Sequence, residues 1–234
     1  MKLYDAHSHP HAALSHPVVL NGTCPADWPQ LLKLAHQEPQ IIPAIGLHPW
    51  QVNEAPSDWQ ASFLKHITAA RAIGEIGLDQ WVDGYDIQRQ QYAFIWQLRQ
   101  AATHNLPVSI HCLKALDPLL GILKAQPCPS RGIHLHAYSG SAEQVAQLAQ
   151  LGAYFSFHAA QLSNNAKKAS AAVRAVPADR LLIETDAPDT LKTSTSPTEF
   201  LLNGYQRIAK LREVAVEALA QQVADNFTRY FIDD

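Results

Sequence analysis

Cysteine is scarce. Cys24, Cys112 and Cys128 are the three in 234 residues, an odd number without C-x-x-C spacing. The pattern reads as reduced, mostly buried thiols in a cytosolic protein, not as a disulfide framework. Long hydrophobic runs are missing too. No apolar stretch approaches the roughly 18 residues that a membrane span needs, and no basic n-region with an apolar h-region precedes the first strand candidate. The expectation is a cytoplasmic protein with no membrane and no obligate protein partner. Basic clusters are equally rare, with Lys167-Lys168 the one adjacent pair and a net charge of −3. Such a surface does not hold long duplexes by phosphate neutralisation. It leaves room for a metal site acting on a strand end or a small phosphoester, because metals bring positive charge locally. No G-x-G-x-x-G or Walker sequence follows any apolar run, which argues against an open doubly wound nucleotide-binding sheet.

What the chain does contain is a steady alternation. Apolar runs at Leu3–His7, Val18–Asn21, Ile41–Leu47, Ala72–Leu78, Val108–His111, Gly132–His136, Tyr154–Phe157 and Leu181–Thr185 are separated by helical stretches. The runs are continuously apolar, as strands buried on both faces should be. Their number is that of a (β/α)8 TIM-type barrel, an α/β fold whose sites lie at the C-terminal ends of the strands. Residues 1–234 are read as a single domain, since no linker or low-complexity tract interrupts the rhythm. Helix punctuation agrees. Ser57 with Gln60, Ser141 with Gln144 and Ser196-Pro197-Thr198-Glu199 look like N-terminal caps. A helix over about 86–104 places Ile87, Phe94, Leu98 and Ala101 on one stripe and stops at Asn105-Leu106-Pro107. Gly152 suits a left-handed helix end.

Histidines and carboxylates gather at the strand ends. His7 and His9 are spaced i, i+2, so they share a face and could form half of a metal site. Next come His48, then Glu75 and Asp79, His111, the pair His134 and His136, His158, and finally Glu184 and Asp186. One such residue would read as an ordinary polar group; a series at one end of successive strands is harder to dismiss. Glu75 lies inside an apolar strand between glycines, where a bare carboxylate is costly unless a metal or an arginine offsets it. A bridging metal is the favoured reading.

The motifs together resemble the TatD-type metal-dependent hydrolases, a deoxyribonuclease family of amidohydrolase-like barrels. The resemblance rests on Asp5-Ala6-His7-Ser8-His9, Gly46-Leu47-His48-Pro49, Gly74-Glu75-Ile76-Gly77-Leu78-Asp79, His111-Cys112, His136-Ala137-Tyr138-Ser139-Gly140, Glu184-Thr185-Asp186-Ala187-Pro188 and Asn226-Phe227-Thr228-Arg229-Tyr230-Phe231. It implies metal ligands at His7, His9, Glu75, His111, His136 and Asp186. One ion would fall to His7, His9 and Asp186, a second to His111 and His136, with Glu75 between them. Mixed imidazole and carboxylate donors suit Zn²⁺ or Mn²⁺, and the family is also associated with Mg²⁺. The implied mechanism is two-metal phosphoester hydrolysis with Asp186 as general base and Glu75 as catalytic bridge. His48, Trp50 and Lys114 are expected to meet substrate; Asp79, His134 and Glu184 are expected behind the ligands. The chain departs from the family pattern at Leu113, where an arginine is common, and at Trp50, where a second histidine often follows His-Pro. It departs again at Gln80-Trp81 and over residues 194–199. The metal core matches while the substrate-facing loops differ.

The leading expectation is a metal-dependent phosphodiesterase or deoxyribonuclease acting on single-stranded ends or short oligonucleotides. Trp50 and Trp81 could stack bases there, or simply pack their loops. The alternatives are hydrolysis of a C–N or ester bond in a small cyclic substrate, and a non-catalytic binding protein on the same scaffold.

Overall fold

Strand β1 (Asp5–Ser8) and strand β8 (Leu181–Ile183) lie side by side, and this joins the first apolar run to the last. Between them run β2 (Val18–Asn21), β3 (Ile41–Ile45), β4 (Ala72–Asp79), β5 (Val108–Leu113), β6 (Ile133–Leu135) and β7 (Ala153–Phe157). The sheet order is β1-β2-β3-β4-β5-β6-β7-β8. With helices alternating along the chain, this is the (β/α)8 TIM-type barrel that the sequence rhythm predicts. The computed structural model describes residues 1–11, 15–163, 165–191 and 195–233. Ser194, within the altered 194–199 stretch, lies outside them. Among the described residues no helix is long and apolar enough to cross a membrane.

Contacts divide the chain into two compact units, residues 1–19 with 135–234, and residues 20–134. In the first, β7 and β8 pair in parallel with Phe155 opposite Leu181 and Phe157 opposite Ile183. Their side chains are fully buried, as are those of Phe227 and Tyr230. Helices α7 (Pro197–Arg212) and α8 (Val216–Phe227) cover them, and Tyr205 of α7 donates its hydroxyl to Tyr4 O at 3.0 Å. In the second unit, β3, β4 and β5 are parallel neighbours. The indole of Trp28, on α1 (Trp28–Gln37), packs against Phe63 and donates to Gly46 O at 3.1 Å.

Helix α3 (Ile87–His104) has Asp86 as its N-cap and Asn105 in the left-handed region as its stop. Phe94, Leu98 and Ala101 are buried as the stripe predicts, but Gln90 and Gln97 are buried with them. Two further differences are local. The Ser57–Gln60 cap does not form, because the chain first turns through Trp59 N–H to Pro56 O at 3.0 Å; helix α2 (Trp59–His66) then starts behind Asp58. The three thiols are free but only half-buried. The Ser141 and Ser196 capping boxes form as read.

Candidate metal centre

The first unit carries one imidazole–carboxylate group. His7 Nε2 and His9 Nε2 lie 3.8 and 3.7 Å from Asp186 Oδ1. All three can offer a ligand atom within one ion's reach. Local backbone chemistry makes the arrangement. Asp186 has φ 52°, a left-handed geometry that aspartate tolerates better than most residues. Its N–H donates to His7 O at 2.9 Å, and His9 N–H donates to Ala187 O at 2.7 Å. Beneath them Asp5 accepts from Thr185 N at 2.9 Å and Thr185 Oγ1 at 2.6 Å, tying β1 to β8. His136 stacks on His7 with ring centroids 3.9 Å apart. Glu184 lies behind it, 3.7 Å from His136 Nδ1, and accepts from Ala137 N at 2.7 Å and from the Ser156 hydroxyl. His158, at the end of β7, is pushed down to about 4 by burial, against the opposing pull of Asp186.

The second unit carries the other group. Glu75 Oε1 lies 3.1 Å from His48 Nε2 and 2.8 Å from His111 Nδ1. The buried carboxylate that stood out in the sequence thus faces imidazoles. Close backbone packing puts it there. Gly46 lets the Glu75 main chain pass, since a Cβ at 46 would sit 2.5 Å from Glu75 O. Gly77 pairs with His111 and leaves no room for a side chain: a Cβ there would be 2.0 Å from His111 O. His48 is held by its N–H to Thr23 O at 2.9 Å, and Gln97 brackets Leu47 N and O at 2.7 and 3.2 Å. Behind His111 stands Asp79, its Oδ2 2.9 Å from His111 Nε2. Burial alone would raise the Asp79 carboxyl. Hydrogen bonds from His111, the Trp81 N–H and the Trp50 indole outweigh that and lower it to about 2. His134 is fully buried, with Nδ1 3.3 Å from Ser109 Oγ.

The donor chemistry of this group fits a divalent cation. An ionised Asp79 accepts, so His111 Nε2 carries the hydrogen, and Nδ1 is the nitrogen that would offer its lone pair to a cation. Nδ1 and Glu75 Oε1, the two atoms that would face such a cation, lie 2.8 Å apart. Adjacent ligands of an octahedral ion with bonds of about 2.1 Å are separated by about 3 Å. His48 is the reverse case. Its Nδ1 accepts the Trp50 N–H at 3.1 Å, so Nε2–H is the atom that faces Glu75.

Of the expected substrate contacts, His48 therefore turns toward Glu75. Trp50 and Trp81 are 52% and 61% exposed, and the Lys114 ammonium lies 3.7 Å from the Trp81 ring centre. Sequence reading missed Asp5, Thr185, Gln90 and Gln97. Asp5 and Thr185 stood inside the quoted motifs without a role of their own, and the glutamines sit seven residues apart on α3.

The family profile described as TatD related DNase matches residues 6–232. The chain is 32% identical over 205 residues to the uncharacterized metal-dependent hydrolase YcfH of Escherichia coli (strain K12), covering 85% of this chain and 76% of that one. It is 30% identical over 226 residues to the 3'-5' ssDNA/RNA exonuclease TatD of Erwinia tasmaniensis, covering 92% and 87%. The solved structure of YjjV, a TatD homolog from Escherichia coli K12, matches with a TM-score of 0.91 at 25% identity, over 99% of this chain and 98% of that one.

Proposed function

Because the chain belongs to the TatD related DNase family, we propose that it is a divalent-metal-dependent phosphodiesterase, a deoxyribonuclease trimming single-stranded DNA from the 3′ end or degrading short oligonucleotides. The observation that carries the reading is the pair of imidazole–carboxylate groups, His7–His9–Asp186 and Glu75–His111 with His48 donating to Glu75 beside them. The activity named for the Erwinia relative supports the polarity and the single-stranded substrate. Two divalent ions, Zn²⁺, Mn²⁺ or Mg²⁺, would be held, one by His7, His9 and Asp186 and one by Glu75 and His111. His136, stacked on His7, is a further ligand.

Such ions supply charge for phosphate oxygens and make water acidic enough to attack near neutral pH. The chain's own residues do the rest. Asp186, whose side chain keeps 18% of its surface open, takes the proton of the attacking water. Asp79 and Glu184 keep His111 and His136 in fixed orientations. Lys114, seated over the Trp81 ring, gives the phosphate a point charge, and the exposed face of Trp50 receives a base.

Elemental analysis followed by assays on single-stranded DNA, RNA, aryl phosphodiesters and cyclic amides tests the reading. The purified protein should retain a divalent metal and cleave single-stranded DNA until EDTA is added. Glu75→Gln should lose more than the roughly 100-fold that removing a ligand's outer neighbour costs. Turnover of cyclic amides without phosphodiesters would overturn the proposal in favour of an amidohydrolase. A protein that holds no metal and turns over nothing would point to a binding role.

A further inference from the structure

Trp50 touches the second group from outside and by two separate donors. Its indole N–H donates to Asp79 Oδ2 at 2.7 Å, the same oxygen that lies 2.9 Å from His111 Nε2. Its main-chain N–H donates to His48 Nδ1 at 3.1 Å. The second Asp79 oxygen is engaged by the N–H groups of Trp81 and Val82 at 2.6 and 3.2 Å. Rotating this carboxylate would break contacts on both oxygens at once. Every donor around it gives a hydrogen, which leaves Asp79 able only to accept from His111.

We propose that Trp50 is a positioning residue that assigns the two histidines beside Glu75 to different tasks. Through Asp79, the indole N–H fixes His111 with hydrogen on Nε2 and a lone pair on Nδ1 for a divalent cation. Through the main chain, Trp50 fixes His48 as an N–H donor to Glu75 and so removes it from the ligand set. The inference rests on the metal-binding reading proposed above. Partners behind a ligand histidine set its ring orientation and basicity, and their loss costs roughly 10- to 100-fold in metal affinity. Trp50 is 52% exposed, so little core packing depends on it. Stacking a base would use the ring face; holding Asp79 uses the N–H edge. The two roles separate by chemistry.

The experiment exploits that separation. Trp50→Phe removes the donor and part of the ring. Replacing Trp50 with β-(3-benzothienyl)alanine keeps the shape and swaps only the N–H for sulfur. Zn²⁺ affinity of the chelator-stripped protein is measured by competition with a chromophoric chelator, alongside the metal-free melting temperature. Both variants should bind the more affected ion roughly 10-fold or more weakly, with melting temperatures unchanged. Asp79→Asn should weaken binding similarly, and combining it with either Trp50 change should add little further loss. Equal affinity in wild type and the benzothienyl variant overturns the inference and leaves the metal reading standing. Wild type that takes up no divalent ion overturns both.

Discussion

Asp186 illustrates how a residue is placed by its main chain before its side chain acts. Its left-handed φ of 52°, its N–H on His7 O and the Thr190 hydroxyl on its carbonyl at 3.1 Å fix the residue whatever the carboxylate carries. Asparagine matches aspartate in size and in tolerance of this geometry. Asp186→Asn therefore removes the charge and the base without disturbing the frame. Turnover of a single-stranded oligonucleotide at saturating metal should fall by roughly 10²- to 10⁴-fold, the usual share of a general base. The thermal midpoint followed by circular dichroism should stay within a few degrees. Near-normal turnover would remove Asp186 from the base role.

At the scale of elements, the apolar runs located every strand, and their ends moved for physical reasons. Strand β3 stops at Ile45, where Gly46 passes the Glu75 backbone; β5 extends to Leu113 because its ladder with β4 runs on to Asp79. Helix stops were legible where the residue suits the geometry, as at Asn105 with φ 48°. They were not legible at Glu213, the C-cap of α7, which takes φ 56° without a glycine or asparagine to announce it. Glutamate in that region carries about 1–2 kcal/mol of steric cost. Glu213→Gly relieves that cost but loosens the unfolded chain by about 0.5–1 kcal/mol. The side chain is exposed, so nothing else changes. The net expectation is about 0.5–1 kcal/mol of added stability, or roughly 2–3 °C in the melting temperature. A fall in a calorimetric scan would show that Glu213 makes a compensating contact.

For the whole molecule, the residue types of the two groups were readable because histidine and carboxylate recur at strand ends. What holds them was not, since the supporting bonds join residues with no shared motif. Asp5 and Thr185 are 180 positions apart, and Trp50 and Asp79 are 29 apart. Sequence patterns report spacing along an element, whereas these links exist only after strands pair. The same fact ties metal binding to stability. The unfolded chain disperses both groups, so an ion bound by the native state alone stabilises it by mass action. One site at a 100-fold excess of metal over Kd gains about 2.7 kcal/mol. For a chain of this length that is roughly 5–10 °C in the melting temperature. Protons compete for the same imidazoles and carboxylates, so the gain shrinks below the usual histidine range. Calorimetry with and without EDTA should therefore show a gap of that size at pH 7.5 and a clearly smaller one at pH 5.5. Identical midpoints at pH 7.5 would mean that neither group holds an ion in the native state.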